Sequence, residues 1–398
     1  MNRQYTWRWL ALLMAVVCLP RLTIDLYLPS LPAMASELAA TPAEVQRTLS
    51  DYMIGYACSM LLCGPLADRY GRRPVLLGGL ALYLLATLVC LFAARIDVLT
   101  AARLLQALGG CCGTVVGRVI VKDRFPPSAQ ASLLAHLSSG MALTPVLAPM
   151  LGGLIETHAG WRADFLLMAL LGAVLLWLIW RHVPETVTLQ TRQQARTPLA
   201  RQYALLLRDR DFLRPTLTIS LGYATYFAFI SASSFLFQHD LQLSPLQYAG
   251  CFALSVLGYL LGAHLMRRLA GRLALDRLLG GACLLNLLAS LLLWLSVRIW
   301  PASPWAIVLP MMLLMLSVGV LIPACQLAVM QAHPQRVGTA SGLFFFVQMS
   351  CAALCSTLIG CLPGGAAVMA VVILSASLLT SLAWFALAPR GVRPRVTA

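Results

Sequence analysis

Two apolar runs, each of the roughly twenty residues a helix needs to cross a bilayer, flank the stretch Gly64-Pro65-Leu66-Ala67-Asp68-Arg69-Tyr70-Gly71-Arg72-Arg73-Pro74. Its charges are too costly to place in hydrocarbon, so it reads as a tight polar turn between two spans. Arg and Lys gather on the cytoplasmic side of membrane proteins. Arg69, Arg72 and Arg73 therefore place this turn inside, and with it both termini. Gly64 and Gly71 lack a Cβ and permit close helix approach or left-handed backbone, which would let Asp68 reach the end of a neighbouring helix.

The remaining composition agrees with a membrane chain. Apolar residues make up 60% and charged residues 11% of the sequence, against roughly 45–50% and 25% in soluble domains. The 398 residues accommodate about twelve spans with short loops. No signal-peptide cleavage site follows the first apolar run. The formal net charge of +15 could suggest a nucleic acid partner, but 22 of the 29 Lys and Arg fall in loops expected on the cytoplasmic side. The excess is a topology signal that suits anionic lipid headgroups and needs no polynucleotide. The 12 cysteines show no metal-type spacing, and neither a metal site nor disulfides are expected.

Ionisable groups inside spans mark function. Span one, from about 10 to the low thirties, carries Arg21 and Asp25, four residues apart and so on one helix face. They could carry the chemistry or simply neutralise one another. Span two, about 43–66, holds Asp51, which could face either the outer mouth or the central cavity, and a small-residue face of Gly55, Ser59 and Cys63 suited to tight contact. Span three covers about 75–94 and span four about 98–121, the latter with Arg103, Gln106, Gly109, Gly110 and Arg118. A membrane-embedded Arg needs a polar or acidic partner unless it snorkels from the helix end, and Asp25 is the natural candidate for Arg103. Span five, about 130–155, carries Pro145, Pro149, Gly152 and Gly153, a kinked and closely packed helix. Span six ends at Val183-Pro184-Glu185-Thr186, and a polar Arg- and Gln-rich linker follows over 187–211.

Spans seven to twelve repeat the plan at about 212–238, 245–266, 273–296, 304–330, 337–361 and 365–388, and the 262–272 loop is a degraded copy of the 64–73 turn without its Asp. The expected organisation is therefore a six-helix bundle over 1–186, a cytoplasmic linker over 187–211, and a second six-helix bundle over 212–398 with a short basic tail. The second bundle has almost no buried charge. Its polar and aromatic points include Asn286, Gln326, Gln348, Tyr223, Tyr226, Phe227 and Phe344 to Phe346, the aromatics equally suited to core or lipid-facing positions.

The turn at 64–73 resembles the cytoplasmic motif G-x-L-A-D-R-x-G-R-R of major facilitator superfamily transporters through Gly64, Leu66, Ala67, Asp68, Arg69, Gly71, Arg72 and Arg73. Arg103, Gln106, Gly109 and Gly110 are similar to that superfamily's fourth-helix motif R-x-x-Q-x-x-G, and the run Ala148-Pro149-Met150-Leu151-Gly152-Gly153 to the exporters' G-P-x-x-G-G, with Ala148 for the first glycine. With the P-E-T tail and the run Asp25-Leu26-Tyr27-Leu28-Pro29-Ser30-Leu31-Pro32, the chain resembles the Bcr/CflA group of drug:proton antiporters. The resemblance implies an all-α membrane fold of twelve helices in two pseudo-symmetric halves. Its substrate site would lie between the halves near midplane, lined by Gln106, Tyr223, Tyr226, Phe227, Gln326, Phe345 and Gln348.

It further implies proton coupling through Asp25, Arg103 and Arg21 or through Asp51. The cytoplasmic gate would comprise the 64–73 turn and Asp123, with Asp123 paired to Arg72 and Asp68 capping a helix N-terminus in the opposite half. Members of the Bcr/CflA group export varied antibiotics such as bicyclomycin and chloramphenicol, and the expected activity is efflux of small lipophilic drugs such as antibiotics from the bacterial cytoplasm across the inner membrane. It would be driven by the proton gradient with no cofactor and performed by a monomer. A proton-coupled transporter of one metabolite, sugar or siderophore would share the fold. An enzyme is disfavoured: there is no H-E-x-x-H and no G-x-S-x-G, the six histidines are dispersed, and no P-loop is present to drive an ATP-powered pump.

Overall fold

A computed structural model of the chain describes residues 3–187, 199–333 and 337–387. It is almost wholly helical. In chain order the helices are α1 (Arg3–Asp25), α2 (Leu31–Glu37), α3 (Pro42–Tyr70), α4 (Arg72–Leu91), α5 (Ile96–Gly110), α6 (Cys112–Arg124), α7 (Pro127–Ala159) and α8 (Trp161–His182). After these come α9 (Leu199–Leu206), α10 (Arg210–Phe235), α11 (Pro245–Leu269), α12 (Leu275–Ile299), α13 (Trp305–Ala332), α14 (Val337–Cys361) and α15 (Ala366–Ala386). Among the described residues eleven helical segments are long and apolar enough to cross a membrane, with α1–α2 and α5–α6 each counted once. The 29-residue α3 is also long enough to cross but falls short in hydropathy. Its hydropathy is diluted by polar residues such as Ser50, Asp51, Ser59 and Asp68. The expected linker is not structureless: residues 188–198 lie outside the described residues, but α9 forms within the 187–211 stretch and packs on α14.

The first eight helices pack mainly on one another, as do α10 to α15, and two helix pairs, α3 with α14 and α7 with α11, carry most of the contact between the groups. Both α3 and α11 start in the same way. Thr41 and Ser244 each accept the N–H of the residue three further on, Glu44 or Gln247, whose side chain returns to the cap N–H, and Pro follows at the first helical position. This reciprocal capping satisfies donors that a helix start otherwise leaves exposed. One apolar core runs through both groups, from Tyr27, Tyr52 and Phe165 to Phe227, Phe252 and Met311. Large apolar side chains such as Leu85, Leu170, Trp177, Leu288 and Leu354 point outward, the surface a lipid-embedded bundle requires.

The segment that follows α1 departs from regular helix. Pro29 and Pro32 have no N–H to donate, and the chain passes through a short 3₁₀ turn at Leu28–Ser30 before α2. The carbonyls freed there are not left bare. Ser234 Oγ donates to the Leu28 carbonyl at 2.6 Å and Gln238 Nε2 to the Pro29 carbonyl at 2.9 Å, tying the break in α1 to α10 and the single π turn, Leu236–Asp240, that continues it.

Candidate transport site

Arg21 and Asp25 share a face near the end of α1, as their spacing requires. Arg21 Nε donates to Asp25 Oδ2 at 2.8 Å, both groups being buried. The remaining guanidinium nitrogens cross to the second helix group: Nη1 donates to the Tyr223 hydroxyl at 2.9 Å and Nη2 to the Tyr226 hydroxyl. Tyr226 also turns its ring beneath the guanidinium, 5.1 Å from its centroid. Asp25 Oδ1 is buried without a hydrogen-bond partner. The four side chains thus form one polar bridge between α1 and α10, with one carboxylate oxygen unused. Phe227 packs behind the two tyrosines and is fully buried, so it supports the bridge.

Arg103 does not pair with Asp25. It is fully buried in the first group, with Nη1 donating to Gln106 Oε1 at 2.6 Å and to the Thr23 carbonyl at 3.3 Å. Its charge rests against rings, with centroids at 4.1 Å for Tyr27 and 4.3 Å for Tyr52, an arrangement in which the ring quadrupole replaces an anion. Gln106 is fully buried, gives its Nε2 to Thr87 Oγ1 at 2.8 Å and accepts from Arg103, which it positions. Asp51 is held by the exposed Arg47 at 3.7 Å and does not join the Arg21 group. Gln348 on α14 is buried with its Oε1 unpartnered, while Gln326 on α13 and Phe345 on α14 are partly buried.

The glycines of α7 act where that helix crosses others. A Cβ at Gly152 would overlap the Leu26 carbonyl, directly after Asp25, and one at Gly153 would lie 2.9 Å from the Pro245 carbonyl at the start of α11. Pro145 and Pro149 stand within the same continuous helix. The motif therefore seats the α1 break, and the start of α11 from the second group, closely against α7.

At the opposite end Arg72 organises the turn. Its Nη1 meets Asp68 Oδ1 at 2.5 Å and its Nε meets Asp123 Oδ2 at 3.2 Å. The expected Arg72–Asp123 pair is formed. Asp68 bonds Arg72 and, among the described residues, caps no helix of the second group. Arg69 stays outside the network and stacks on the Tyr70 ring at 5.3 Å. Gly71 adopts φ +113°, a conformation that favours glycine. A Cβ added at Gly64 would meet nothing within 4 Å, so that glycine mediates no close approach.

Glu185, in the P-E-T tail, is the residue the sequence did not assign to this turn. Its carboxylate accepts the N–H groups of Arg72 at 2.9 Å and Arg73 at 3.3 Å, at the N-terminus of α4. It also accepts from Thr186 and Val187, and Thr186 Oγ1 donates to Asp123 at 3.0 Å. Burial pushes the Glu185 carboxyl up, but these four N–H groups together hold it below its ordinary value. A side chain at Gly71 would collide with this carboxylate. Arg73 completes the turn by donating to the Trp180 carbonyl at 2.8 Å.

A bundle of long apolar helices, with a buried ion pair on α1 hydrogen-bonded across to α10, is the architecture of a multi-pass membrane transporter. The chain belongs to the Major Facilitator Superfamily, whose family model matches residues 13–356. It is 30% identical over 391 residues to multidrug resistance protein D of Escherichia coli strain K12, covering 98% of each chain. It is 25% identical over 379 residues to a bicyclomycin resistance protein homolog of Haemophilus influenzae, covering 95% of each. Among solved structures, a mutant of the nucleoside transporter NupG matches with TM-score 0.77 at 14% identity, over 96% of this chain and 100% of that one, which speaks to the fold alone. The resemblance to Bcr/CflA drug:proton antiporters, carried in the sequence by motifs within 21–186, extends along the whole chain in the first of these alignments.

Proposed function

We propose that the protein exports small lipophilic antibiotics from the bacterial cytoplasm in exchange for protons, by alternating access of two bundles, 1–186 and 212–398, in the inner membrane with both termini cytoplasmic. The observation that carries this reading is the Arg21–Asp25 pair bonded across to Tyr223 and Tyr226. A proton reaching Asp25 has a lone pair waiting at Oδ1. Once neutral, Asp25 holds Arg21 less strongly, and in a medium of low dielectric that loss amounts to several kcal/mol before relaxation. Arg21 then depends on the tyrosines of α10, so the protonation state of α1 changes the strength of the contact between the bundles. A two-state carrier needs that kind of bias.

On this reading the Arg72 turn, with Asp68, Asp123 and Glu185, braces the cytoplasmic ends of α3, α4, α6 and α8, and the glycines of α7 provide the surface on which the bundles rock. The relatives named for multidrug and bicyclomycin resistance favour export of drugs. The test is retention of a panel of lipophilic antibiotics in cells expressing the chain, with and without an uncoupler. A fall in retention that the uncoupler abolishes supports the proposal. An unmoved panel together with rising uptake of a nutrient would replace efflux with transport of one metabolite.

A further inference from the structure

Arg21, Arg103 and Arg118 lie well inside the spans, and the fold compensates them unequally. Arg21 is neutralised by Asp25. Arg103 is sealed among rings inside the first group. Arg118, on α6, stands between the groups: its guanidinium lies 5.9 Å from the ring centroid of Phe345 on α14, and Nη2 is 3.2 Å from Met141 Sδ on α7. Tyr56 of α3, Tyr259 of α11 and Cys18 of α1 are within its electrostatic reach. Side chains from five helices of both groups therefore surround it, and none of them is an acid. Among the described residues no carboxylate forms an ion pair with Arg118, whereas Arg72 meets two.

A guanidinium carries five N–H donors, and the hydrogen bond that Arg118 makes to Met141 goes to a thioether, a weak acceptor. Donor capacity is left over on a side chain that is only partly buried, beside an aromatic ring and a thioether sulfur. A desolvated guanidinium favours oxyanions and strong neutral acceptors and repels cations. With Arg21 and Asp25 cancelling, the charge left at the boundary between the groups is positive.

We propose that Arg118 selects substrates by charge, so that the cleft takes lipophilic anions and neutral solutes rich in hydrogen-bond acceptors and rejects lipophilic cations. The inference rests on the efflux reading for its transport consequence, but the binding preference stands apart from it. The probes are tetraphenylborate and tetraphenylphosphonium, which share a shape and differ in the sign of charge. Binding of each is measured on the purified full chain in detergent, with empty micelles subtracted. The parent is expected to bind the borate at least about tenfold more tightly than the phosphonium, a ratio equivalent to about 1.4 kcal/mol. Arg118→Gln should bring the two within about threefold of each other, and Arg118→Lys should retain the preference. Equal binding or phosphonium preference in the parent overturns the proposal, as does a borate preference that survives in Arg118→Gln. If Gln disturbs folding, the ratio in the parent decides alone. Uncoupler-sensitive efflux of neutral chloramphenicol is followed in parallel: efflux without charge preference removes the role of Arg118 only, and charge preference without efflux removes the efflux reading only.

Discussion

The guanidinium of Arg103 lies 4.1 Å from the centre of the Tyr27 ring and is not paired with Asp25, which precedes that tyrosine by two residues. Two charged centres that the sequence invites one to join are therefore separate, and their energetics should be separable. Arg103→Ala is expected to cost about 2–4 kcal/mol, because Gln106 loses its buried donor and the aromatic cage is left hollow. Combining it with Asp25→Asn should give additive losses within about 0.5 kcal/mol, as for sites without a shared partner. Thermal or chemical unfolding of the single and double variants decides this, and a coupling above about 1 kcal/mol would restore the direct pair.

Asp25→Asn should abolish the pH dependence of substrate binding, since the buried carboxylate with a free oxygen is replaced by a group that does not titrate. Asp51→Asn should leave it within about twofold, because its partner Arg47 is exposed and screened. Substrate binding measured against pH for both variants checks the assignment. Equal behaviour of the two variants and the parent would remove Asp25 as the proton site.

Much of this arrangement is legible where the relevant geometry is local. The i, i+4 pairing of Arg21 with Asp25 follows from helix pitch alone, and the basic turn follows from the cost of burying charge. Contacts between helices are less accessible. A helix such as α13, apolar on nearly every face, gives no stripe to say which side packs, so partners across the bundle depend on rotations the sequence does not display. For this reason the sequence points Arg103 towards Asp25, assigns Gly64 to a close contact it does not make, and shows Glu185 only as part of a motif. The small-residue face of α3 is legible in part: a Cβ at Gly55 would strike the Leu104 carbonyl on α5.

Glu185 gives the turn a pH dependence of definite sign. Its carboxyl lies below the ordinary value in the folded protein, despite burial, because of the N–H groups of Val187, Arg72, Thr186 and Arg73. A group lowered on folding contributes stability that is present above its unfolded pKa, about 4.3 for Glu, and is lost as pH falls through the lower folded value. Glu185→Gln should therefore cost about 1 kcal/mol at neutral pH, the scale of one acceptor at a helix N-terminus. The difference from the parent should begin to shrink as pH falls below about 4.3 and vanish once pH is below the lower folded value. Unfolding midpoints of both proteins across pH 3–7 provide the measurement.

The two glycines of the turn should answer oppositely to alanine. Gly71→Ala meets both a backbone at φ +113° and the Glu185 carboxylate, and a loss of about 1–3 kcal/mol is expected from the strain. Gly64→Ala adds a methyl group in open space within α3. It should stabilise the protein by about 0.5–1 kcal/mol through the lower helix propensity of glycine. Unfolding of the pair distinguishes a glycine kept for its conformation from one that happens to lie in the same motif.

Asp164 carries the same contrast to the far end of the bundle. It is fully buried in the first turn of α8, with Oδ2 accepting from Ser30 Oγ at 2.7 Å and Oδ1 unpartnered. No cation forms an ion pair with it among the described residues, and Arg162 beside it is bound to Glu37. A buried charge without a counter-charge is unfavourable, whereas an amide of the same shape keeps an acceptor for Ser30 and adds a donor. Asp164→Asn should therefore match or exceed the parent's stability, by up to about 1 kcal/mol, while Ser30→Ala should lower it by about 1 kcal/mol by removing the donor to a buried carboxyl. Ser30 directly follows the carbonyls of Leu28 and Pro29 that bind Ser234 and Gln238. The Ser30→Ala loss should accordingly be accompanied by faster exchange of the amides at positions 28, 30 and 31, and unchanged exchange there would confine the effect to α8.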